Sequence, residues 1–475
     1  MANPLLPNDP HDAHLRAAVK PPDWVNPTPA GRYNLVVLGG GTAGLVCAAA
    51  AAGVGAKVAL VERDLLGGDC LTVGCVPSKT LLRAAKAAHD SRTAKRFGVS
   101  TGEPDIDFAA VMERVRRVRA DSSAVDAAGR FKGLGVDVFL GEGRFEDGDS
   151  VSVNGVSLTF AKCVIATGAR ARGWEGETPA EPTLLTNESL FTLTALPLRL
   201  LVVGAGPVGC EMAQAFARLG SRVTLVAKGG RILPKELPAA GDAAAKSFQV
   251  DGIATVSKAP PFADFDAVLL ATGRVPNVES LNLSAAGVAL DGDKGVLVDD
   301  HLRTTNRRIF AAGDVTSLGV RFTHAADAMA RVVLRNALFA GRATFDPRTI
   351  PRCTFTDPEV AAVGDTGPGN REFHLDFQHL DRTSTDGAAG FLKVFTAARS
   401  DRILGAVCVG PNAGELIGTI SVAVSNRLGL SKLANVVFPY PTYTEAIRKL
   451  ADQFNRGKLT PVVKRLFRTW LRWGR

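Results

Sequence analysis

The sequence predicts an α/β protein with two nucleotide-binding domains built on parallel sheets, followed by a smaller α+β domain. Two observations carry this. A strand, glycine turn, helix, strand pattern occurs twice with matching spacing, and after about Thr349 the texture changes to strands and helices without a glycine-rich turn. Length agrees, since 475 residues at about 150 per domain give roughly three domains.

Residues 1–33 read as an irregular arm, because Pro21, Pro22, Pro27 and Pro29 interrupt helix and sheet. The apolar run Leu35 to Leu38 ends in Gly39-Gly40-Gly41-Thr42-Ala43-Gly44. An Ala-rich helical stretch follows, and Val58 to Val61 closes at Glu62. The pattern returns as Leu200 to Val203, then Gly204-Ala205-Gly206-Pro207-Val208-Gly209, a helix over Glu211 to Leu219, and Val223 to Val226 closing at Ala227. Counted from the last glycine of each turn, Glu62 and Ala227 both lie eighteen residues on. Strands alternating with helices imply parallel sheets covered on both faces. Further on, Phe391 to Phe395 and Ile403 to Val409 read as strands and Gly414 to Asn426 as a helix. Phe438-Pro439-Tyr440-Pro441 reads as a rigid loop before another helix. The expected divisions are an arm over 1–33, a first nucleotide domain over 34–182 and 275–348, and a second over 183–274. An α+β domain over 349–458 and a basic tail over 459–475 complete the chain.

Composition excludes several classes. Apolar residues make up 46% and charged residues 22%, which is ordinary for a globular protein and unlike disordered or collagen-like chains. Leu45 to Ala56 is too short to span a bilayer, and the first thirty residues do not read as a secretory signal. Seven cysteines in this length make no disulfide framework, so a reducing, cytoplasmic setting is expected. Of the net charge of +9, the stretch from Arg448 to Arg475 supplies +8, with nine basic residues and one acidic. The remainder is close to neutral, which argues against nucleic acid as a partner.

A glycine turn between strand and helix lets backbone approach a pyrophosphate, and the helix N-terminus offers free N–H groups. Each turn here has a strand before it and a helix and strand after it, which is the context the fingerprint requires. Glu62 suits the ribose hydroxyls of FAD or NAD. Ala227 followed by Lys228 offers no carboxylate against a 2′-phosphate and a cation beside it, so NADPH is favoured over NADH. In Cys70-Leu71-Thr72-Val73-Gly74-Cys75-Val76-Pro77-Ser78-Lys79, the gap lets the first turn of a helix bring two sulfurs within disulfide range. Gly74 permits close approach to a flat ring. A helix N-terminus and Lys79 favour the Cys75 thiolate. Read as packing alone, the pair would be two small apolar residues. A zinc site would need more cysteine or histidine nearby, and no resident metal is expected.

Gly67-Gly68-Asp69-Cys70 through Lys79, with two dinucleotide folds, resembles the FAD-dependent pyridine nucleotide–disulfide oxidoreductases of class I. Ala166-Thr167-Gly168, Ala271-Thr272-Gly273-Arg274 and Ala311-Ala312-Gly313-Asp314 fall in that family's order. The resemblance covers roughly residues 34 to 455. It implies two Rossmann-like domains, FAD on the first and NAD(P)H on the second, and a homodimer. Gly39, Gly41 and Gly44 would hold the FAD pyrophosphate, Glu62 the adenosine ribose, the backbone near Gly143 the adenine, and Asp314 the ribityl side. Gly68, Asp69, Thr167, Gly168, Gly204, Gly206, Gly209, Lys228, Gly273, Arg274, Gly313 and Ala325 are further expected cofactor contacts. Cys75 would contact the flavin and Cys70 would exchange with substrate, while Lys79 would lie near the flavin, paired with Glu211. The implied path runs from nicotinamide to flavin, to the Cys70–Cys75 disulfide, and from the dithiol to an acceptor.

The last motif is Tyr440-Pro441-Thr442-Tyr443-Thr444-Glu445. Disulfide reductases of the family place a histidine where Tyr440 stands, as the acid/base of thiol exchange. A phenol titrating near 10 replaces it poorly, whereas a soft metal ion bound by two thiolates needs less proton transfer. The stretch Phe438 to Phe454 and the segment Leu380 to Lys393 resemble the mercuric reductase branch. Tyr440 and Glu445 would serve the cysteines of the second subunit. The acceptor is expected to be a metal ion or small molecule. The competing expectations are a reductase of small disulfides or quinones, and a flavin-binding protein that has lost turnover.

Three departures set expectations. That branch ends in a vicinal cysteine pair, whereas here the last cysteine is Cys408 and the chain ends Trp473-Gly474-Arg475, with no paired-cysteine domain at the front; mercury delivery is therefore expected to be inefficient. Between Pro234 and Ala271 lie only 36 residues where the family has a long helix, a strand and a β-hairpin, so a trimmed NAD(P)H domain is expected. Val462 to Trp473 reads as a basic amphipathic helix. It is expected either to pack on the protein's own surface or to touch an anionic membrane surface, peripheral at the inner face.

Overall fold

The computed structural model describes residues 4–174, 182–339 and 341–474. The chain packs as two units. One runs to Gly230 and resumes over Gly252–Pro347, and the other comprises Arg231–Asp251 and the chain from Arg348 on.

In the first unit, Tyr33–Leu38 lies at the centre of a seven-stranded sheet, between Val58–Glu62 and Val156–Ile165, with parallel pairing on both sides. Val136–Leu140 extends it beyond Val58–Glu62, and Ile309–Ala311 also pairs in parallel with Val156–Ile165. Near-continuous apolar sequence makes these strands, as burial on both faces demands. Tyr33, Val36, Leu38, Val61, Phe139, Phe145 and Phe160 form their shared core. Helices Thr42–Gly53 and Thr323–Leu338 pack together beside this sheet.

A second parallel sheet runs in the order Ala254–Val256, Arg222–Val226, Arg199–Val203, Ala267–Leu270 and Thr183–Leu185. Between Pro234 and Ala271 the chain makes the helix Pro238–Val250, the short strand Ala254–Val256 and the sheet strand Ala267–Leu270, with no antiparallel hairpin. Pro260 and Pro261 lie in the link between the two strands, and they lack the N–H groups a hairpin ladder would use.

The arm differs from expectation, because Pro10–Val19 is a helix. The prolines read as breakers all lie beyond its end. Its start is built by Asp9, whose carboxylate accepts from the backbone of His11 and Asp12 at 2.9 Å, and by Pro10 in the first turn. After the helix, Trp24 Nε1 donates to the Val138 carbonyl at 3.2 Å, and Asn26 both donates to and accepts from the Leu140 backbone. The arm thus lines the edge strand of the first sheet.

The second unit is an antiparallel sheet ordered Arg352–Thr354, Glu359–Gly364, Ile403–Gly410, Phe391–Thr396 and Arg371–Asp376, with helices Ala413–Ser425 and Glu445–Gly457. Helix Pro238–Val250 groups with this unit. Just before it, Glu236 takes both Nε and Nη2 of Arg352, at 2.6 and 2.9 Å, and Ser247 donates to the Asp357 carbonyl. Cys47, Cys163, Cys210 and Cys408 are buried, whereas Cys353 is half-buried.

Candidate active site

The two glycine turns share one construction. A Cβ on Gly39 would stand 2.3 Å from the Ala166 carbonyl oxygen, and one on Gly204 would stand 2.4 Å from that of Ala271. A Cβ on Gly44 would meet the Gly39 carbonyl at 1.8 Å, and one on Gly209 would meet that of Gly204 at the same distance. In each case the first glycine clears the neighbouring strand's exit and the last lets the helix sit on the turn. Helices Thr42–Gly53 and Pro207–Arg218 begin after Gly41 and Gly206 with no side chain capping them, so their first N–H groups are available to a ligand.

Glu62 ends its strand with one oxygen accepting from the Gly40 N–H at 2.6 Å and the other from the Asp64 N–H at 2.7 Å. Burial pushes its carboxyl above the ordinary range, against those two bonds. Each oxygen retains a lone pair for a ribose hydroxyl. Its counterpart Ala227 is buried and Lys228 is exposed. Gly143 is buried in the strand Gly143–Phe145 against Leu38 and Val61.

The cysteines lie on two helices rather than one. Cys70 belongs to the short helix Gly68–Thr72, and Cys75 opens the helix Cys75–Thr93. Gly74 between them serves the chain itself, since a Cβ there would come within 2.6 Å of the Asp69 carbonyl oxygen and 3.4 Å of Cys70 Cα. That fold-back requires the glycine. The Cys70 thiol donates to the Cys75 sulfur, and Thr323 Oγ1 lies 3.2 Å from Cys75 Sγ. These hydrogen bonds and the nearby Lys79 charge outweigh burial and bring the Cys75 thiol down to about 6. The Cys70 thiol moves up, because it gives its proton to that bond and is partly buried. Lys79 Nζ donates to Glu211 Oε2 at 2.8 Å, and Glu211 is buried on Pro207–Arg218.

Arg274 gathers the remaining charges. It donates to Asp69 and to the Ala169 carbonyl, with Asp314 at 3.5 Å. Asp314 is held above the ordinary carboxylate range by burial, against the pull of Arg274. Arg274 and Arg321 each keep a buried Nε with no hydrogen-bond partner among the described residues. Thr167 and Gly168 are fixed by Asn277, through Thr167 Oγ1 to the Asn277 carbonyl at 2.7 Å, Asn277 Nδ2 to the Thr167 carbonyl at 2.9 Å, and Asn277 N to the Gly168 carbonyl at 3.0 Å. Gly273 joins the ribbon Ala169–Ala171 and Arg274–Pro276 by accepting from Arg172 N. Gly313 and the buried Ala325 lie at the turn and helix beside the first sheet.

Tyr440 and Glu445 belong to the second unit. Tyr440 is exposed, and its hydroxyl donates to Asp381 at 2.7 Å. That bond and the Asp381 charge raise its pKa, so the phenol stays protonated near neutral pH. Glu445 is buried. Arg448 reaches Oε1 at 3.3 Å, and Oε2 has no hydrogen-bond partner among the described residues.

Three residues escaped sequence reasoning. Thr323 lies two residues before Ala325, Asn277 follows the Gly273-Arg274 motif, and Arg119 carried no local signal.

Residues 33–263 and 262–330 match the pyridine nucleotide-disulphide oxidoreductase family, and residues 350–451 match its dimerisation domain, which supports a homodimer. The mercuric reductase of Acidithiobacillus ferrooxidans is 35% identical over 470 residues, with 89% of this chain and 83% of the relative covered. That of Streptomyces lividans is 33% identical, covering 89% and 96%. Among solved structures, LpdA of Mycobacterium tuberculosis superposes with a TM-score of 0.80 at 29% identity, covering 88% of this chain and 99% of that one. A Cu(II) complex of the HOCl-induced flavoprotein disulfide reductase RclA of Escherichia coli gives 0.77 at 25%, covering 89% and 100%. With paired cysteines, two nucleotide turns and these matches over most of its length, the chain belongs to the class I pyridine nucleotide–disulphide oxidoreductase family, in its mercuric reductase-like branch.

Proposed function

We propose that this protein is an NADPH-dependent reductase that delivers two electrons through Cys70 and Cys75 to a soft metal ion, mercuric ion foremost. The observation that carries the reading is the sulfur pair with Cys75 poised as a thiolate, combined with Tyr440 where thiol–disulfide exchange calls for a group titrating near neutrality. Two thiolates can hold a soft ion without an acid or base to shuttle protons. The protonated Tyr440 hydroxyl orients rather than deprotonates.

The chain fits FAD. The uncapped helix at Gly41, the Gly39 and Gly44 clearances, the spare lone pairs of Glu62 and the buried Asp314 are of the kinds a dinucleotide's phosphates, ribose and polyol need. When bound, FAD supplies the electron transfer between NAD(P)H and sulfur. Gly68, Asp69, Thr167 and Gly168 would line its site, and Lys79 with Glu211 fixes a cation beside the Cys75 thiolate. At the second turn, Ala227 removes the carboxylate that would repel a 2′-phosphate and Lys228 attracts it. Tyr440 and Glu445 serve the cysteine pair of the second copy in the homodimer. The unpartnered Glu445 Oε2 and the dimerisation domain support that role. A cytoplasmic setting goes with an NADPH-fed dithiol.

An anaerobic acceptor screen tests this. The FAD-loaded protein should oxidise NADPH faster than NADH, with mercuric ion in excess thiol as acceptor, and Cys70→Ser and Cys75→Ser should abolish turnover. Lys228→Glu should reverse the nucleotide preference. Sustained turnover with glutathione disulfide or a quinone, and none with mercuric ion, would replace this reading.

A further inference from the structure

The C-terminal helix Pro461–Trp473 begins cleanly, with Thr460 Oγ1 accepting from Val463 N at 3.3 Å. None of its residues is buried, and only Val463 is half-covered. Val462, Leu466 and Trp470 follow one another at helical spacing, with Phe467, Leu471 and Trp473 beside them. Trp470 is 77% exposed and Trp473 89%. Lys464, Arg465, Arg468 and Arg472 take the opposite side, and no acidic residue occurs after Asp452. Packing on the protein's own surface, one of the two expectations, is therefore not what the structure shows.

We infer that this helix is an interfacial anchor for bilayers carrying anionic phospholipid. Thirteen residues span about 20 Å as a helix, less than the roughly 30 Å of a hydrocarbon core. Among the described residues, no helix is long and apolar enough to cross a membrane. A short helix with an apolar face ending in two tryptophans and a cationic opposite face lies in the plane of the headgroups, its apolar side sunk toward the acyl chains. Charge selects the occupant. The same helix of a second copy laid against this one would bring an equal set of cations with it and no carboxylates to meet them. An anionic lipid surface meets them all. The anchor is independent of the redox reading, so either can fail alone.

The test uses the full-length, FAD-loaded protein and sedimentation with vesicles of phosphatidylcholine alone or mixed with phosphatidylglycerol. Binding should require phosphatidylglycerol, weaken with salt and blue-shift tryptophan fluorescence. Arg465→Gln with Arg468→Gln should lower partitioning by about fivefold per neutralised cation. Leu466→Ser with Trp470→Ser should abolish it, with flavin content unchanged. Equal binding to both vesicle types, no binding to either, or full binding by the Leu466→Ser/Trp470→Ser variant would overturn the anchor. So would a smaller assembly in that variant by light scattering, which would assign the face to a second copy.

Discussion

Asp12 Oδ1 meets Arg119 Nη2 at 2.5 Å, with both side chains buried, and the same guanidinium donates through Nη1 to the carbonyl of Thr72 at 3.0 Å. Thr72 ends the short helix that carries Cys70. The arm that precedes the matched family region therefore holds the arginine that holds the redox helix. Arg119 also reaches the Pro4 carbonyl, and its Nε has no hydrogen-bond partner among the described residues, so Asp12 is its main compensation.

Removing one member of a buried pair costs about 3–5 kcal/mol, whereas replacing both by apolar groups is often neutral. Asp12→Ala should lose stability on that scale in urea unfolding. Asp12→Leu with Arg119→Met should recover most of it. Equal losses in the two would show that packing of the arm, and not the charge pair, is the source.

The Cys75 thiol, brought down to about 6, should be a thiolate above that pH and lose its charge as pH falls through it. An unshifted thiol would change near 8.5. By linkage, this contributes stability that is fully present above the unfolded value and lost as pH falls through about 6. Thiolate absorbance of the reduced protein, less that of Cys75→Ser, reads the titration directly. A hydrogen bond to a charged group is worth roughly 1.5–3 kcal/mol, so Thr323→Val should raise the midpoint by about one to two pH units. Thr323→Ser should restore it. An unmoved midpoint in Thr323→Val would reduce Thr323 to a packing residue.

What was legible follows from how local each constraint is. Gly44 and Gly209 are demanded by clashes within their own turns, and Gly39 and Gly204 by the exit of the neighbouring strand, a construction fixed enough that spacing alone announced both nucleotide folds. Glu62 and Ala227 could be placed because the strand between turn and ribose has a fixed length. The N-terminal helix is not legible from Pro21, Pro22, Pro27 and Pro29, which lie beyond it, and its partners Arg116 and Arg119 lie more than a hundred residues away. The glycine at 74 is legible, but its use in folding Cys70 back onto Cys75 depends on a helix break that no periodicity marks. Thr323 acts across the fold, on a sulfur 248 positions distant. The tail's two faces were plain in the sequence, and only the structure shows that neither is covered.

The matched geometry of the two turns permits a paired test of their separate duties. A Cβ at Gly44 or at Gly209 would sit 1.8 Å from a carbonyl oxygen, far inside contact distance, so each alanine must push its helix off its turn. The damage should stay within one nucleotide site, because the closest clash in each case is with that turn's own first glycine. Gly44→Ala should therefore purify with little bound FAD while still retaining NADPH on an affinity resin. Gly209→Ala should keep its FAD and its yellow colour, with dithionite still bleaching the flavin and NADPH no longer doing so. Loss of FAD in Gly209→Ala would mean that the two turns are coupled through the sheets. Undiminished bleaching by NADPH in that variant would mean that the second turn, in a domain without the hairpin, does not carry the nicotinamide nucleotide at all.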